Sequence, residues 1–147
     1  MPRHMHRAIV VTLLLVALSG AGSMSAQDLS TPPIVMSGLN AYKTEGTQAA
    51  IKAWLKGSPL EESREALSQA NALNQIHDFY GPYKSHEVVQ VHTISASSKI
   101  VYLAIDCERG AIFAKFLAFK RGETWTLSSF KFNTEPDQIL PYSLLAH

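Results

Sequence analysis

One cysteine, four histidines beyond the N-terminal segment and a few acids are the residues with which this 147-residue chain could do chemistry. Cys107 is a candidate nucleophile only if a base lies near it and its thiol ionises easily, and no histidine adjoins it in sequence. It reads as a small buried hydrophobe on the inward side of a strand, one residue before a hairpin corner. His77, His86, His92 and His147 show no i, i+4 pair of the helical metal-site kind. His86 and His92 are expected on one strand face about 20 Å apart, too far to share an ion, so no metal and no other cofactor is expected.

Proton-transfer chemistry would need a carboxylate inside an apolar pocket with hydroxyl donors for an oxyanion. Asp106 is the acid set well inside a strand, but its register points it outward and diagonal to Lys115, where an ion pair is expected; Asp78 and Glu87 read as solvated. No catalytic residue is assigned. A ligand pocket could instead be lined by Tyr42, Trp54, Tyr80 and Trp125, which join an apolar body to a hydrogen-bonding edge, with an inward Lys131 to meet an anionic group. The opposing account is that the tryptophans fill the core and Lys131 reaches out at the sheet margin.

The elements that must position these groups start after a secretory signal. Arg3 and Arg7 precede the apolar run Ala8 to Leu18, then small residues from Ser19 to Ala26, the three-part layout of an export signal and too short a run to span a bilayer. Residues 1–26 are therefore expected to be removed, the cut falling within residues 23–27, and residues 27–33 form an extended leader. No cysteine lies there to take a lipid, so no membrane attachment is expected after cleavage. Removal takes two arginines from thirteen bases and none of the twelve acids, leaving a net charge of −1. The eight lysines are scattered from Lys43 to Lys131 without a run, which argues against nucleic acid as a partner. With one cysteine in an oxidising compartment there is no internal disulfide, and the core must hold by packing.

Residues 34–147 read as a single domain. Val35, Leu39 and Tyr42, then Ala50, Ile51, Trp54 and Leu55, repeat at helical spacing with a break at Gly46. Ser58-Pro59-Leu60-Glu61 is a helix start signal, and a long helix with the stripe Leu67, Ala70, Leu73, Ile76 and Tyr80 is expected to run to Gly81-Pro82. The period then becomes two, giving strands near 84–94, 99–108, 111–120 and 124–132. Tight loops at Arg109-Gly110 and Arg121-Gly122 set Glu108 opposite Ala111 and Lys120 opposite Glu123. That register puts Val101, Leu103, Ile105, Cys107, Ile112, Ala114, Phe116, Ala118, Trp125, Leu127, Ser129 and Lys131 on the helix side, with Val89 and Val91 joining from the first strand. The far side collects Tyr102, Phe113, Lys115, Leu117, Phe119, Phe130 and Phe132, too aromatic for a merely solvated face. The fold class is α+β: N-terminal helices on one face of a curved four-stranded antiparallel meander.

That order of elements, with Gly38-Leu39-Asn40-Ala41-Tyr42, Trp54-Leu55-Lys56-Gly57-Ser58-Pro59-Leu60-Glu61, Tyr80-Gly81-Pro82-Tyr83 and Phe132-Asn133-Thr134-Glu135, resembles the cystatin-like roll of the nuclear-transport-factor-like and ketosteroid-isomerase-like superfamily, and small secreted bacterial proteins within it. The resemblance covers residues 34–135. It implies a cone between helices and sheet able to hold a small apolar ligand, and subunit pairing through the outer face of the sheet. The sequence supports pairing independently, because Tyr102, Phe113, Lys115, Leu117, Phe119 and Phe130 would form an exposed, largely apolar patch. The reading is a periplasmic or secreted, non-catalytic binding or scaffold protein, homodimeric, with a small apolar or weakly anionic ligand in the cone. The alternatives are an isomerase- or hydratase-type enzyme with an unidentified acid–base pair, and an accessory subunit binding another protein through the aromatic face.

Overall fold

The computed structural model describes residues 29–146; the signal-like segment and His147 lie outside them. The order is α1 (Pro33–Glu45), α2 (Thr47–Leu55), a short 3₁₀ turn (Pro59–Glu62), α3 (Arg64–Tyr80), then β1 (Tyr83–Ser95), β2 (Ser98–Cys107), β3 (Ala111–Arg121) and β4 (Thr124–Asn133), followed by a 3₁₀ turn (Pro136–Gln138) and α4 (Tyr142–Leu145). The strands form one antiparallel sheet in the order β1-β2-β3-β4, curved but not closed, with α1 to α3 on its inner face. This is the expected α+β meander.

The long helix starts later than its first signal suggests. Ser58 Oγ accepts from Leu60 N at 3.0 Å and donates to Leu127 O at 2.6 Å, while Glu61 Oε1 reaches back to Gly57 N at 2.9 Å. These bonds close a single turn, and Ser63 starts α3 afresh by capping Ala66 N at 3.0 Å. From that start Ala66, Ala70 and Leu73 face the core, and Leu67, about 100° around the helix from Ala66, is exposed rather than part of the stripe.

Both hairpins differ from the expected register by two residues. Asp106 pairs with Ala111 and Arg121 with Thr124. An even shift leaves every side chain on its own face, so Val101, Leu103, Ile105, Ile112, Ala114, Phe116 and Ala118 are all fully buried on the helix side. Bulges do change faces, and two of them move residues assigned above. One extra residue at Val89 puts Val88 and Val91 inward, opposite Leu103 and Val101, and sends His86 and His92 to opposite faces. The other lies between Leu127, paired with Ala118, and Ser129, paired with Leu117. Past it the faces of β4 exchange: Phe130 and Phe132 are core residues, and Ser129 and Lys131 point outward.

At the centre lies Trp54, fully buried, with ring centroids 5.1 Å from Phe116 and 5.4 Å from Phe132. Phe132 replaces Lys131 as the inward residue at the end of β4, and three aromatic rings occupy the space the sequence offered to a ligand.

Candidate functional site

The inner face carries polar groups at its two ends. At the end closed by the β2–β3 hairpin, α1 brings Tyr42, α3 brings His77, β1 brings Tyr83 and His86, and β2 brings Cys107. Tyr42 Oη shares a hydrogen bond with His77 Nδ1 at 3.1 Å and lies 4.0 Å from Cys107 Sγ. The Tyr42 and Tyr83 rings are 5.6 Å apart, and Tyr83 Oη is 2.6 Å from His86 Nδ1. Burial pushes the Tyr42 phenol well above its ordinary value, with Cys107 adding to the rise. Burial also raises the Cys107 thiol, opposed by its hydrogen bond from Tyr42 and aided by the charge of Asp106. Phenol and thiol are thus both held neutral, the opposite of what nucleophilic catalysis requires. Tyr80 closes this end by covering Gly110, and Arg109 ties the hairpin to α3 by donating from Nη2 to Phe79 O at 2.7 Å while its backbone N donates to Tyr80 O at 2.8 Å.

At the other end Lys99, only 3% exposed, donates to Ser30 O at 3.0 Å and lies 5.5 Å above the ring of Trp125, with Lys120 6.0 Å from the same ring. The cations flank an aromatic face, and Lys99 pins the leader to the sheet. The sequence does not single out Lys99, although it shares the parity of Val101, Leu103 and Ile105. Nor does it pair His77 and Tyr83 with Tyr42, since those contacts join residues 35 or more positions apart.

The five pocket residues are therefore not brought together. Tyr42 and Tyr80 sit at one end, Trp125 at the other and Trp54 at the packed centre with Nε1 donating to Val35 O at 3.0 Å, while Lys131 is on the outer face because of the β4 bulge. Among the described residues Ser58 and Lys99 are buried in addition to the Tyr42 phenol, and the acids Asp78, Glu87 and Asp106 lie outside the core. Asp106 accepts from Ser85 Oγ at 3.0 Å rather than pairing with Lys115, whose Nζ lies 5.9 Å over the ring of Tyr102.

Of the six residues assigned to an interface, Phe113, Lys115 and Leu117 are half-buried on the outer face and Phe119 is exposed there, whereas Phe130 belongs to the core. Tyr102 also lies on the outer face but is only 8% exposed, with Lys115 over its ring and Pro141 and Ser143 bordering the same gap. Among the described residues no group of three or more His, Cys, Asp or Glu is placed to hold a metal ion, and no helix is long and apolar enough to cross a membrane. Comparison with protein-family models, curated proteins and solved structures gave no match.

Proposed function

We propose that this chain is an exported, non-catalytic binding or scaffold protein that works through the outer face of its sheet, pairing there with a second copy, on a roll of the nuclear-transport-factor-like kind. The observation that carries this reading is how the interior is occupied. Trp54, Phe116 and Phe132 fill the cone, Ser58 and Lys99 each hold a segment of the fold in place, and the buried Tyr42 phenol is taken up by His77 and Cys107. A proton-transfer enzyme of the isomerase or hydratase kind would place a carboxylate in that interior; here Asp78, Glu87 and Asp106 lie outside it. The chemistry open to the molecule is recognition at the surface, where Phe113, Leu117 and Phe119 lie among charged neighbours. A small ligand in the cone would have to displace Trp54.

Native mass spectrometry of the protein purified from the periplasm without denaturation tests export, pairing and ligand together. The expected result is a processed mass beginning within residues 24–27 and a dimer without added mass. Persistent small-molecule mass on a monomer would overturn the reading in favour of a ligand carrier, and stable association with a different protein in place of the dimer would favour an accessory subunit.

A further inference from the structure

The β3–β4 hairpin ends in two outward-facing levels. Phe119 stands directly opposite Thr126 and Arg121 opposite Thr124, and opposed residues share a side of the sheet. One step further along β4 the bulge inserts Ser128, which is exposed and borders the same hollow. Three hydroxyls therefore follow one another along β4, roughly 7 Å apart, beside a phenyl ring that is 40% exposed.

The turn at residues 57–61 forms the other wall of this groove, whose volume is about 610 Å³, inside the roughly 300–1,000 Å³ span of small-molecule sites. That wall is held in place by the fold itself. Ser58 Oγ donates to Leu127 O at 2.6 Å, which fastens the turn to β4, and Gly57, with a φ of 71°, reverses the chain beside the Thr126 methyl. Glu61 Oε1 accepts from Gly57 N at 2.9 Å, so its carboxylate is fixed on the groove with Oε2 left for another donor. On the hairpin side, the Arg121 guanidinium makes no ion pair or hydrogen bond to the described residues, and its N–H groups are open to a ligand. A groove whose walls are already tied together loses little freedom when it is filled.

The exposure of these groups selects the ligand. Arg121 and Glu61 are both exposed, and an ion pair made in water contributes little, so a ligand held by its charges would bind poorly here. Affinity has to come from the phenyl face and from several neutral hydrogen bonds at once. A sugar ring has that form: its carbon-bound hydrogens meet the electron-rich face of an aromatic ring, and hydroxyls that both donate and accept surround its edge. Arg121 supplies donors, Glu61 acceptors, and Thr124 and Ser128 either. We propose that this groove is a saccharide site, with Phe119 as the platform under one pyranose ring and Glu61, Arg121, Thr124 and Ser128 bonding its hydroxyls. The inference goes beyond the pairing reading above, with which it shares one residue, Phe119.

The test titrates the processed chain with maltotriose, with tri-N-acetylchitotriose and with the dipeptide glycylleucine, which offers the same groove a carboxylate and an ammonium, and follows amide chemical shifts. One of the trisaccharides is expected to saturate, moving the amides of residues 57–61 and 119–128. Phe119→Ala and Arg121→Met should each weaken that binding about tenfold with thermal melts equal to the parent's, while Phe113→Ala, on the same face but outside the groove, leaves it unchanged. Shifts confined to other parts of the chain, or equal binding by Phe119→Ala, would overturn the site. Glycylleucine binding in place of both trisaccharides would overturn the ligand class and assign a zwitterion to Arg121 and Glu61. No shift with any of the three at the highest attainable concentration would overturn the inference outright. Light scattering on the same samples reads pairing separately: a monomer that takes the saccharide sinks the pairing alone, and a dimer that takes none sinks the saccharide site alone.

Discussion

The indole of Trp54 lies directly against the backbone of Gly38, so that any side chain at position 38 would occupy the space of the indole nitrogen. The same nitrogen donates to Val35 O at 3.0 Å, one turn earlier in α1. Glycine here is a matter of room: it lets α1 approach α2 closely enough for the largest core side chain to sit between the helices and the sheet. Gly38→Ala is therefore an overpacking change, expected to cost about 1–3 kcal/mol or more. Trp54→Ala removes the filling instead, at about 3–5 kcal/mol. Urea denaturation monitored by far-ultraviolet circular dichroism reads both as lower midpoints. A Gly38→Ala midpoint equal to the parent's would mean that the helices can separate without loss.

Strict alternation would set Phe119 and Phe130 in one exposed patch, and the bulge in β4 gives them different fates. Phe130 is 4% exposed in the core and Phe119 40% exposed on the outer face. Phe130→Ala should destabilise by about 3–5 kcal/mol, while Phe119→Asp should stay within about 0.5 kcal/mol of the parent. Thermal melts of the two variants decide it, and a reversed order would place the bulge elsewhere.

The helices, the meander and the inner faces of β2 and β3 are legible in the sequence because apolar period and turn residues determine them, and a two-residue error in the hairpins returns every side chain to the same face. Bulges are not, since one inserted residue costs little locally yet inverts the faces of the strand beyond it. A trace is present: beyond Leu127 the large apolar residues, Phe130 and Phe132, change parity, and strict alternation would bury a lysine while exposing two phenylalanines. Val88, Val89 and Val91 carry a similar ambiguity in β1. The cluster of Tyr42, His77, Cys107, Tyr83 and His86 is hidden for another reason, that its members come from four elements and meet only once the helices dock. The C-terminal turn and short helix beyond β4 have too few residues for any period to declare them.

The phenol of Tyr42 and the thiol of Cys107 both titrate above their ordinary values of 10.0 and 9.0. A group whose pKa is raised on folding holds its proton more tightly in the folded chain, so its stabilisation is complete below the ordinary value and is lost as pH rises through the folded one. Stability should accordingly be level near neutrality with respect to these two groups and decline above about pH 9. Tyr42→Phe should cost about 1–2 kcal/mol at neutral pH, because His77 and Cys107 lose a buried partner, and should make the alkaline decline shallower. Chemical denaturation at stepped pH measures this, and an unchanged alkaline slope in Tyr42→Phe would assign the decline to other groups.

Lys99 holds the leader by its bond to Ser30 and its place over Trp125. Lys99→Met keeps most of the apolar stem and removes the charge and the donors, so the core beneath should survive while the leader detaches. The expected cost is about 1–3 kcal/mol, with faster amide exchange confined to residues 29–31, ahead of Pro32 and Pro33. Exchange spread through β2 and β3 instead would show that Lys99 supports the sheet more than the leader.

Removing β4, from Trp125 to Phe132, should abolish cooperative folding. The strand supplies Leu127, Phe130 and Phe132 to the core, and its outer edge is the one the rest of the fold has closed: Ser58 Oγ donates to Leu127 O, and Gln69 Oε1 accepts from Phe132 N at 3.0 Å. Without it the turn at residues 58–62 and the middle of α3 lose their partners, Trp54 loses one of its two aromatic neighbours, and β3 becomes an open edge with Phe116 uncovered. Circular dichroism of the truncated chain should show no thermal transition, with aggregation at micromolar concentration. A soluble truncate that melts cooperatively would mean that helices and three strands form a sufficient core, and would remove β4 from the account of what holds this fold together.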